Sequence, residues 1–180
     1  MKNFVKATLL IAVALYFASC NKETKTETNT TQTATDSLLI EHKSADSLGQ
    51  LHDILLQSLK TKDKNLYLSY CFTQEQEDKI AQMLNDEKKK KYFQREFGFS
   101  IHEEVAYFEN INKYIDKMGI DLNMIELPLI ETFDYDRSNY APIVLKESII
   151  PIIQEGLERD IVYVAIQIDG KWFFTSELSL

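Results

Sequence analysis

The sequence predicts an α+β protein in which three N-terminal helices pack on a C-terminal antiparallel sheet of about four strands. Up to Gly119, apolar residues recur at every third or fourth position, which is the spacing of a helix with one buried side. Beyond Gly119 they alternate, which is the spacing of strands. Asp169-Gly170 lies between two apolar runs and is typical of a two-residue hairpin turn. Because the helices precede the strands, we expect them to cover one face of the sheet.

The first predicted helix follows Asp46 and Ser47, either of which can cap its start. Its apolar positions are Leu48, Leu51, Ile54, Leu55 and Leu59. The second predicted helix follows Thr73, which forms a capping box with Gln76, and runs to about Phe93.

The third predicted helix has the most regular apolar pattern in the chain. Ser100 and Glu103 form a second capping box at its start, and Gly119 ends it. Its apolar stripe consists of Ile101, Val105, Phe108, Ile111, Ile115 and Met118. Segment 65–72, between the first two helices, is too apolar to be exposed and is predicted to be helical or irregular.

Extended segments are predicted at 125–135, 143–153, 161–168 and 171–178. Pro151 interrupts the second of them. Because proline cannot donate a hydrogen bond to a neighbouring strand, we place it at a sheet edge or a bulge.

The turn at Asp169-Gly170 fixes the register of the last hairpin. The predicted pairs are Ile168 with Lys171, Gln167 with Trp172, Ile166 with Phe173, and Ala165 with Phe174. One face, which we call the Phe173 face, carries Val162, Val164, Ile166, Ile168 and Phe173. The opposite face, which we call the Trp172 face, carries Tyr163, Ala165, Trp172 and Phe174.

Both faces of this hairpin are too apolar for contact with water, whereas an antiparallel sheet covered once usually presents polar residues on its other side. The second face must therefore meet another part of the chain, a ligand or another subunit, and the sequence leaves these possibilities open. If a ligand binds, Tyr163, Trp172 and Phe174 are the candidate lining, with Tyr135 near the mouth of the pocket. The same residues are the candidate surface for a homodimer or an envelope partner.

The N-terminus has the layout of a secretory signal peptide, with Lys2 and Lys6 ahead of an apolar run at 7–18. As a helix this run spans roughly 18 Å, against a bilayer core of about 30 Å, so it is too short for a permanent membrane span. Phe17-Ala18-Ser19-Cys20 resembles the lipobox of bacterial lipoproteins, with Phe17 where leucine is usual. The resemblance implies a signal peptide over 1–19 and Cys20 as the lipidated first residue of the mature protein.

The residues after Cys20 are predicted to form a disordered tether. Segment 21–36 has no large apolar side chain and cannot bury enough surface to offset its ordering entropy. We expect the tether to cover 20–45 and a single globular domain to cover 46–180. For a Gram-negative cell the lipoprotein resemblance implies the outer membrane, since Asn21 is not the aspartate typical of inner-membrane retention; the periplasmic and surface faces both stay open.

The predicted order of elements and the strand 169–174, Asp-Gly-Lys-Trp-Phe-Phe, resemble the small cone-shaped domains of the nuclear-transport-factor-2-like superfamily. The resemblance is carried by 48–59 and by the final hairpin, and it lacks a clear strand between the second and third helices. It implies a sheet curled around a pocket. Members of the superfamily range from enzymes to ligand binders and scaffolds, so the resemblance assigns no function.

Charge and motifs argue against several classes of function. A net charge of −8 does not suit a nucleic-acid binder, which needs a basic surface. The sequence contains no phosphate loop, nucleophile elbow, zinc signature or dinucleotide fingerprint. It therefore predicts no cofactor, no metal ligand and no catalytic residue, and it favours a role other than that of an enzyme.

The remaining polar and thiol groups receive structural interpretations. Segment 134–139 alternates oxygen side chains but lacks the glycine and glutamate of a calcium loop, so we interpret it as a polar turn. Cys71 has apolar neighbours and is predicted to be buried and unreactive. His52, His102 and Glu104 are predicted to lie on helix surfaces.

Taken together, the sequence predicts a cell-envelope lipoprotein, attached to the membrane through the lipid on Cys20, whose domain binds a small apolar ligand. The alternative is a structural or interaction subunit that uses an apolar sheet face for a homodimer or an envelope partner.

Overall fold

An antiparallel sheet in the order β1-β2-β3-β4 occupies the C-terminal half of the chain. It is seen in a computed structural model that describes residues 40–124, 131–135, 140, 142–154 and 157–180. Within these residues the strands are β1 (Glu131–Asp134), β2 (Val144–Gln154), β3 (Leu157–Ile168) and β4 (Lys171–Ser179). The predicted α+β class, with helices followed by an antiparallel sheet, is confirmed.

Five helices precede the sheet in the described part of the chain, so the predicted number of three is wrong. They are α1 (Leu48–Thr61), α2 (Lys64–Ser69), α3 (Gln74–Met83), α4 (Glu87–Phe97) and α5 (Ile101–Met118). A short 3₁₀ helix, Leu122–Met124, follows α5. Helix α2 arises from the apolar segment 65–72, and α3 and α4 together replace the predicted second helix.

The break between α3 and α4 has a local cause. The chain is extended at Leu84 (ψ 107°), whose side chain is buried in the core. Asp86 then caps α4, and its carboxylate accepts hydrogen bonds from the amides of Lys88 and Lys89 at 2.7 and 3.4 Å. Short polar side chains favour such caps over helix interiors.

The other predicted caps are present. Ser47 caps α1 through its hydroxyl, and Thr73 and Gln76 make both hydrogen bonds of the predicted capping box. Ser100 caps α5 by accepting from the amide of Glu103, which is one of the two hydrogen bonds of the predicted capping box, and Gly119 ends that helix in the left-handed conformation at φ 64°. These signals depend on neighbouring residues, which is why the sequence predicts where the helices begin and end.

The hairpin of β3 and β4 has the predicted register, with all four predicted pairs in place. Asp169 and Gly170 have φ values of 51° and 77°, as the tight turn requires. Further from the turn the register shifts between Tyr163 and Ala165, which marks a β-bulge. Pro151 lies in β2 beyond the last pair with β1, at an edge of the described sheet, as predicted.

Helices cover both faces of the sheet, so the expectation of helices on one face is wrong. Helices α1, α2 and α5 pack on the Trp172 face, and α3 and α4 pack on one end of the Phe173 face. The physical reason is the hairpin itself: because both of its faces are apolar, both gain by being removed from water.

The packed part of the chain begins earlier than the predicted boundary at residue 46. The amide of Lys43 donates to the carbonyl of Ser69 at 2.6 Å, and Ala45 and Trp172 exchange two backbone hydrogen bonds at 3.0 and 2.9 Å. Ala45 is fully buried. Residues 40–45 therefore belong to the folded unit and not to a tether.

The predicted signal peptide over 1–19, Cys20 and the tether up to residue 39 lie outside the described residues. Among the helices that are described, none combines the length and the apolar character needed to cross a membrane.

Candidate functional site

The Trp172 face is filled by the chain's own helices. Tyr163 and Phe174 are each 1% exposed and Trp172 is 9% exposed. All three belong to one core cluster with the apolar residues of α1, α2 and α5. Of the three possibilities left open by the sequence, coverage by the chain itself holds for this face. The prediction of Tyr163, Trp172 and Phe174 as an open ligand or partner surface is therefore wrong.

Tyr135 lies in the other core cluster, apart from the three residues with which it was grouped. Its ring packs against Phe97 at 5.3 Å and against Tyr140 at 6.0 Å between centroids. Partial burial, together with the nearby carboxylates of Glu177 and Glu96, raises the pKa of Tyr135. Tyr135 is thus a half-buried residue at the rim of the Phe173 side.

Glu104 is a fully buried carboxyl group that was predicted to lie on a helix surface, and that prediction is wrong. The hydroxyl of Tyr67 donates to its Oε2 at 2.9 Å, and the thiol of Cys71 lies 3.4 Å from the same oxygen. Its Oε1 has no partner among the described residues. Burial raises the pKa of Glu104 to about 7. The sequence position of Glu104 could have indicated its burial, since it precedes the buried Phe108 by four residues on the same helix face.

Cys71 is buried, as predicted. Burial and the neighbouring Glu104 raise the pKa of its thiol well above the ordinary value, which disfavours the reactive thiolate. The arrangement of Tyr67, Cys71 and Glu104 is thus a closed polar cluster inside the core and gives no access to a substrate.

His52 is also buried, at 1% exposure, so its predicted place on a helix surface is wrong, whereas His102 is exposed. The imidazole of His52 lies 6.4 Å from the ring of Tyr163, and burial lowers its pKa, which keeps it neutral. Burial likewise raises the pKa of Tyr163 to about 12. Neither imidazole nitrogen of His52 has a hydrogen-bond partner in the described part of the chain.

Two surface grooves flank helix α5. The first, which we call the apolar groove, has a volume of about 260 Å³ and lies between α5 and the end of β4. Its walls include Tyr107, Asn110, Ile111, Tyr114, Leu178 and Leu180. Tyr107 and Leu180 are partly exposed, whereas Ile111 and Leu178 are buried at its floor. This surface can hold a small apolar group against two tyrosine rings.

The second groove, which we call the lysine groove, also has a volume of about 260 Å³. It lies between the α1–α2 turn and α5, and its walls are Lys62, Lys64, Phe108, Glu109, Asn112 and Lys113. Lys62 pairs with Asp116 at 2.7 Å, and Lys64 pairs with Glu109 at 3.0 Å.

A third cleft, of about 330 Å³, lies where α3, α4 and the start of α5 meet. Its buried carboxylate, Glu77, accepts a hydrogen bond from the amide of Phe99 at 2.7 Å. This bond ties the α4–α5 connection to α3, so Glu77 has a structural role there.

No metal centre is seen in the described ranges, where no group of three or more His, Cys, Asp or Glu side chains is placed to hold an ion. Most of segment 134–139, interpreted above as a polar turn, lies outside those ranges. Asp134, at its start, pairs with Lys146.

Comparison of the chain with models of protein families, with curated proteins and with solved structures found no match. The expected similarities to bacterial lipoproteins and to the nuclear-transport-factor-2-like superfamily therefore stay predictions from the sequence.

Proposed function

We propose that this protein is a lipid-anchored lipoprotein of the cell envelope, most consistent with the outer membrane, and that its folded unit binds a small apolar ligand. The anchor is supported by the sequence Phe17-Ala18-Ser19-Cys20 after a short apolar run, and by the polar segment that follows it. The lipid on Cys20 attaches the acidic domain to a membrane surface that would otherwise repel it.

The apolar groove is the observation that carries the proposed binding function. The Trp172 face is occupied by helices, so a ligand needs another surface, and this groove exposes apolar atoms of α5 and β4 together. Its two tyrosine rings, from Tyr107 and Tyr114, are nearly two turns of helix apart, and Ile111 lies between them. Such a surface favours an aromatic or aliphatic group over a charged one.

The size of the groove favours a small ligand over a protein. Pockets for drug-sized ligands enclose roughly 300–1,000 Å³, and this groove of about 260 Å³ falls just below that range. A stable protein interface needs about 800 Å² from each partner, far more than one groove supplies. A ligand of one or two rings, or a short acyl chain, fits.

Binding can be tested with N-phenyl-1-naphthylamine, a neutral apolar probe that fluoresces when it leaves water. We expect the chain carrying Cys20→Ala to bind the probe, and the double variant Tyr107→Ala/Tyr114→Ala to bind it at least tenfold more weakly. Tyr92→Ala is the matched control, since Tyr92 and Tyr107 are both 39% exposed. Equal loss in the control, or no binding by the parent chain, would contradict the proposed site.

The anchor has a separate test, which uses the two cysteines of the chain. Cys20→Ala should move the protein from the membrane fraction to the soluble fraction, because it removes the lipidated side chain. Cys71→Ala should leave it with the membrane, since Cys71 is buried in the core. A Cys20→Ala protein that stays with membranes after a salt wash would refute lipidation at Cys20.

An interaction subunit is the second candidate function, and one surface favours it. Beyond the cluster that α3 and α4 cover, the Phe173 side presents Ile153, which is 80% exposed, and Phe133, which is 50% exposed. Ile149, Pro151 and Val162 beside them are half-buried. This apolar strip, and not the Trp172 face, is the part of the described sheet that suits a second copy or an envelope partner.

Native mass spectrometry decides between the two candidates. A ligand-free dimer of the Cys20→Ala chain that becomes monomeric with Ile153→Lys favours the interaction subunit. A monomer that binds the apolar probe favours the ligand-binding module.

A further inference from the structure

The lysine groove gathers three ammonium groups on the surface of an acidic chain. Lys62 and Lys64 come from the α1–α2 turn and Lys113 from α5, so two separate parts of the fold supply its ammonium groups. The whole chain has a net charge of −8. Ammonium groups gathered in a groove raise the local concentration of anions, even on an acidic protein.

The first two ammonium groups are held in place by carboxylates, and the third is available. Asp116 binds Lys62 through both carboxylate oxygens at 2.7 Å, and Glu109 binds Lys64 at 3.0 Å. No carboxylate of the described residues lies within ion-pair distance of Lys113. A bound anion can therefore pair with Lys113 and share the donors of the other two lysines, each of which has three.

Lys62 occupies a backbone conformation that lysine rarely adopts. It ends α1 in the left-handed region at φ 54°, where glycine is the usual residue. Within the described residues, the other non-glycine residue with positive φ is Asp169, which lies in a hairpin turn that suits it. The chain thus keeps a strained lysine at the groove where glycine would be more stable, and such strain is often found at functional sites.

Asn112 supplies an unused hydrogen-bond acceptor at the same groove. It is only 8% exposed, and its Nδ2 donates to the carbonyl of Phe108 at 2.9 Å. Its Oδ1 is buried and has no partner among the described residues. A buried acceptor without a donor is unfavourable, so a ligand that brings a hydroxyl group would relieve it.

We propose that the lysine groove binds a small anion that also carries hydroxyl groups, such as a sugar acid or a sugar phosphate. The anionic group lies at the ammonium groups of Lys62, Lys64 and Lys113. A hydroxyl donates to Oδ1 of Asn112, and the apolar side of the ligand rests against Phe108. This site is independent of the apolar groove, which lies on the opposite side of α5.

Calorimetric titration of the Cys20→Ala chain tests the ligand class. Glucuronate and glucose 6-phosphate carry both groups, glucose carries only hydroxyl groups, and acetate carries only a carboxylate. We expect glucuronate or glucose 6-phosphate to bind at least tenfold more tightly than glucose and acetate, and the tighter of the two identifies the anionic group. Equal binding of acetate or glucose, or no binding of any of the four, overturns the proposal.

A matched pair of lysine variants tests the location. Lys113 and Lys117 are both exposed residues of α5, but only Lys113 lines the groove. Lys113→Ala should weaken binding of the tighter ligand at least tenfold, and Lys117→Ala should leave it within twofold. The same loss in both variants would show a general charge effect and would overturn the assignment to this groove.

Lys62→Gly separates a binding role from a structural one. Glycine relieves the left-handed strain, so the melting temperature should rise by about 2–4 °C, while binding weakens at least tenfold. A structural lysine would give the opposite change in melting temperature and would leave binding intact. Unchanged affinity in Lys62→Gly overturns the role of this residue.

Discussion

Beneath α1, α2 and α5, the Trp172 side of the core encloses polar groups, whereas the Phe173 side beneath α3 and α4 is built from aromatic and aliphatic residues. In the described part of the chain, the buried side-chain atoms without a hydrogen-bond partner all lie on the Trp172 side. They belong to His52, Glu104, Asn112, Ser148 and Tyr163. Each such group costs free energy when it leaves water.

The two sides of the core differ in what stabilises them. The Phe173 side is stabilised by packing, and its rings contact one another around Tyr140, with centroids 5.4 Å from Phe97 and 6.1 Å from Phe93. On the Trp172 side, the cost of burying the titratable groups Glu104 and His52 offsets part of the free energy gained by packing. We therefore expect Glu104 and His52 to make the stability of the protein depend on pH, together with Glu177 on the Phe173 side, whose pKa is also raised by burial and by Glu96 and Glu147.

The largest effect should come from Trp172→Asp. Trp172 is nearly buried and lies in the core cluster, so aspartate would leave a cavity and an unpaired charge. The expected cost exceeds about 4 kcal/mol, which is most of the stability of an ordinary domain. Circular dichroism should show an unfolded or severely destabilised chain.

Ile153→Asp is the control for this variant, because Ile153 is exposed and its substitution should change stability by less than about 0.5 kcal/mol. If Trp172→Asp melted like the parent chain, the Trp172 face could not be a core, and the comparison between the two sides would fail.

The next effect concerns Glu104 and pH. Its pKa is about 7 in the folded chain, above the ordinary 4.5, so the folded state retains a proton that the unfolded state releases. Its contribution is fully present below about pH 4.5 and is lost as pH rises to about 7. The loss amounts to about 3 kcal/mol, at 1.36 kcal/mol for each unit of pKa. Urea unfolding at pH 5 and pH 8 measures it.

Glu104→Gln should remove the Glu104 part of this pH dependence and make the protein more stable than the parent at pH 8, while Glu177, whose pKa is also raised by burial, keeps its own part. The difference between parent and variant isolates Glu104, since His52, with its lowered pKa, acts in the opposite direction in acid. Glu103→Gln, at the exposed neighbouring residue, should keep most of the parental pH dependence, since Glu103 contributes least to the raised pKa of Glu104. Phe97→Ala, on the Phe173 side, should cost about 3–5 kcal/mol equally at both pH values. A parent chain and a Glu104→Gln variant with the same dependence of stability on pH would refute the role of Glu104.

Local features of the fold could be predicted from the sequence, and long-range ones could not. The register of the final hairpin and the caps at Ser47, Thr73 and Ser100 depend on a few neighbouring residues, and all are present. The burial of the Phe173 face depends on α3 and α4, which are distant in sequence from the strands that they cover. The pairing of Ala45 with Trp172 is equally non-local, because a small apolar residue at a sheet edge has no local signature.

The candidate site was less predictable than the fold for the same reason. The apolar hairpin correctly indicated that both faces are buried, but composition does not tell a face covered by helices from one that holds a ligand. Lys62 and Asn112 carry no sequence signal at all, since one is defined by its φ and the other by a missing partner. The position of Glu104 on the buried side of α5 indicated burial, but its charge favoured the prediction of an exposed residue.

The smallest change in stability should come from Tyr67→Phe, which tests one hydrogen bond to Glu104 on the Trp172 side. Phenylalanine keeps the ring contacts with Phe108 and Phe174, at 5.1 and 5.2 Å, and removes only the hydroxyl that donates to Glu104. At pH 8, where Glu104 is ionised, the loss should be about 1.5–3 kcal/mol, the range for a hydrogen bond to a charged group. At pH 5, where Glu104 is protonated, it should be about 0.5–1.5 kcal/mol.

Tyr163→Phe provides the comparison for this variant. Tyr163 is equally buried, but its neighbour across the sheet is the neutral side chain of Ser148, so removal of its hydroxyl should cost less than about 1.5 kcal/mol and the same at both pH values. Unfolding curves of the two variants at pH 5 and pH 8 therefore separate a hydroxyl that stabilises a buried carboxylate from one that is merely buried. An equal loss for Tyr67→Phe at both pH values would mean that Glu104 does not ionise in the folded chain, and the pH dependence would then need another group.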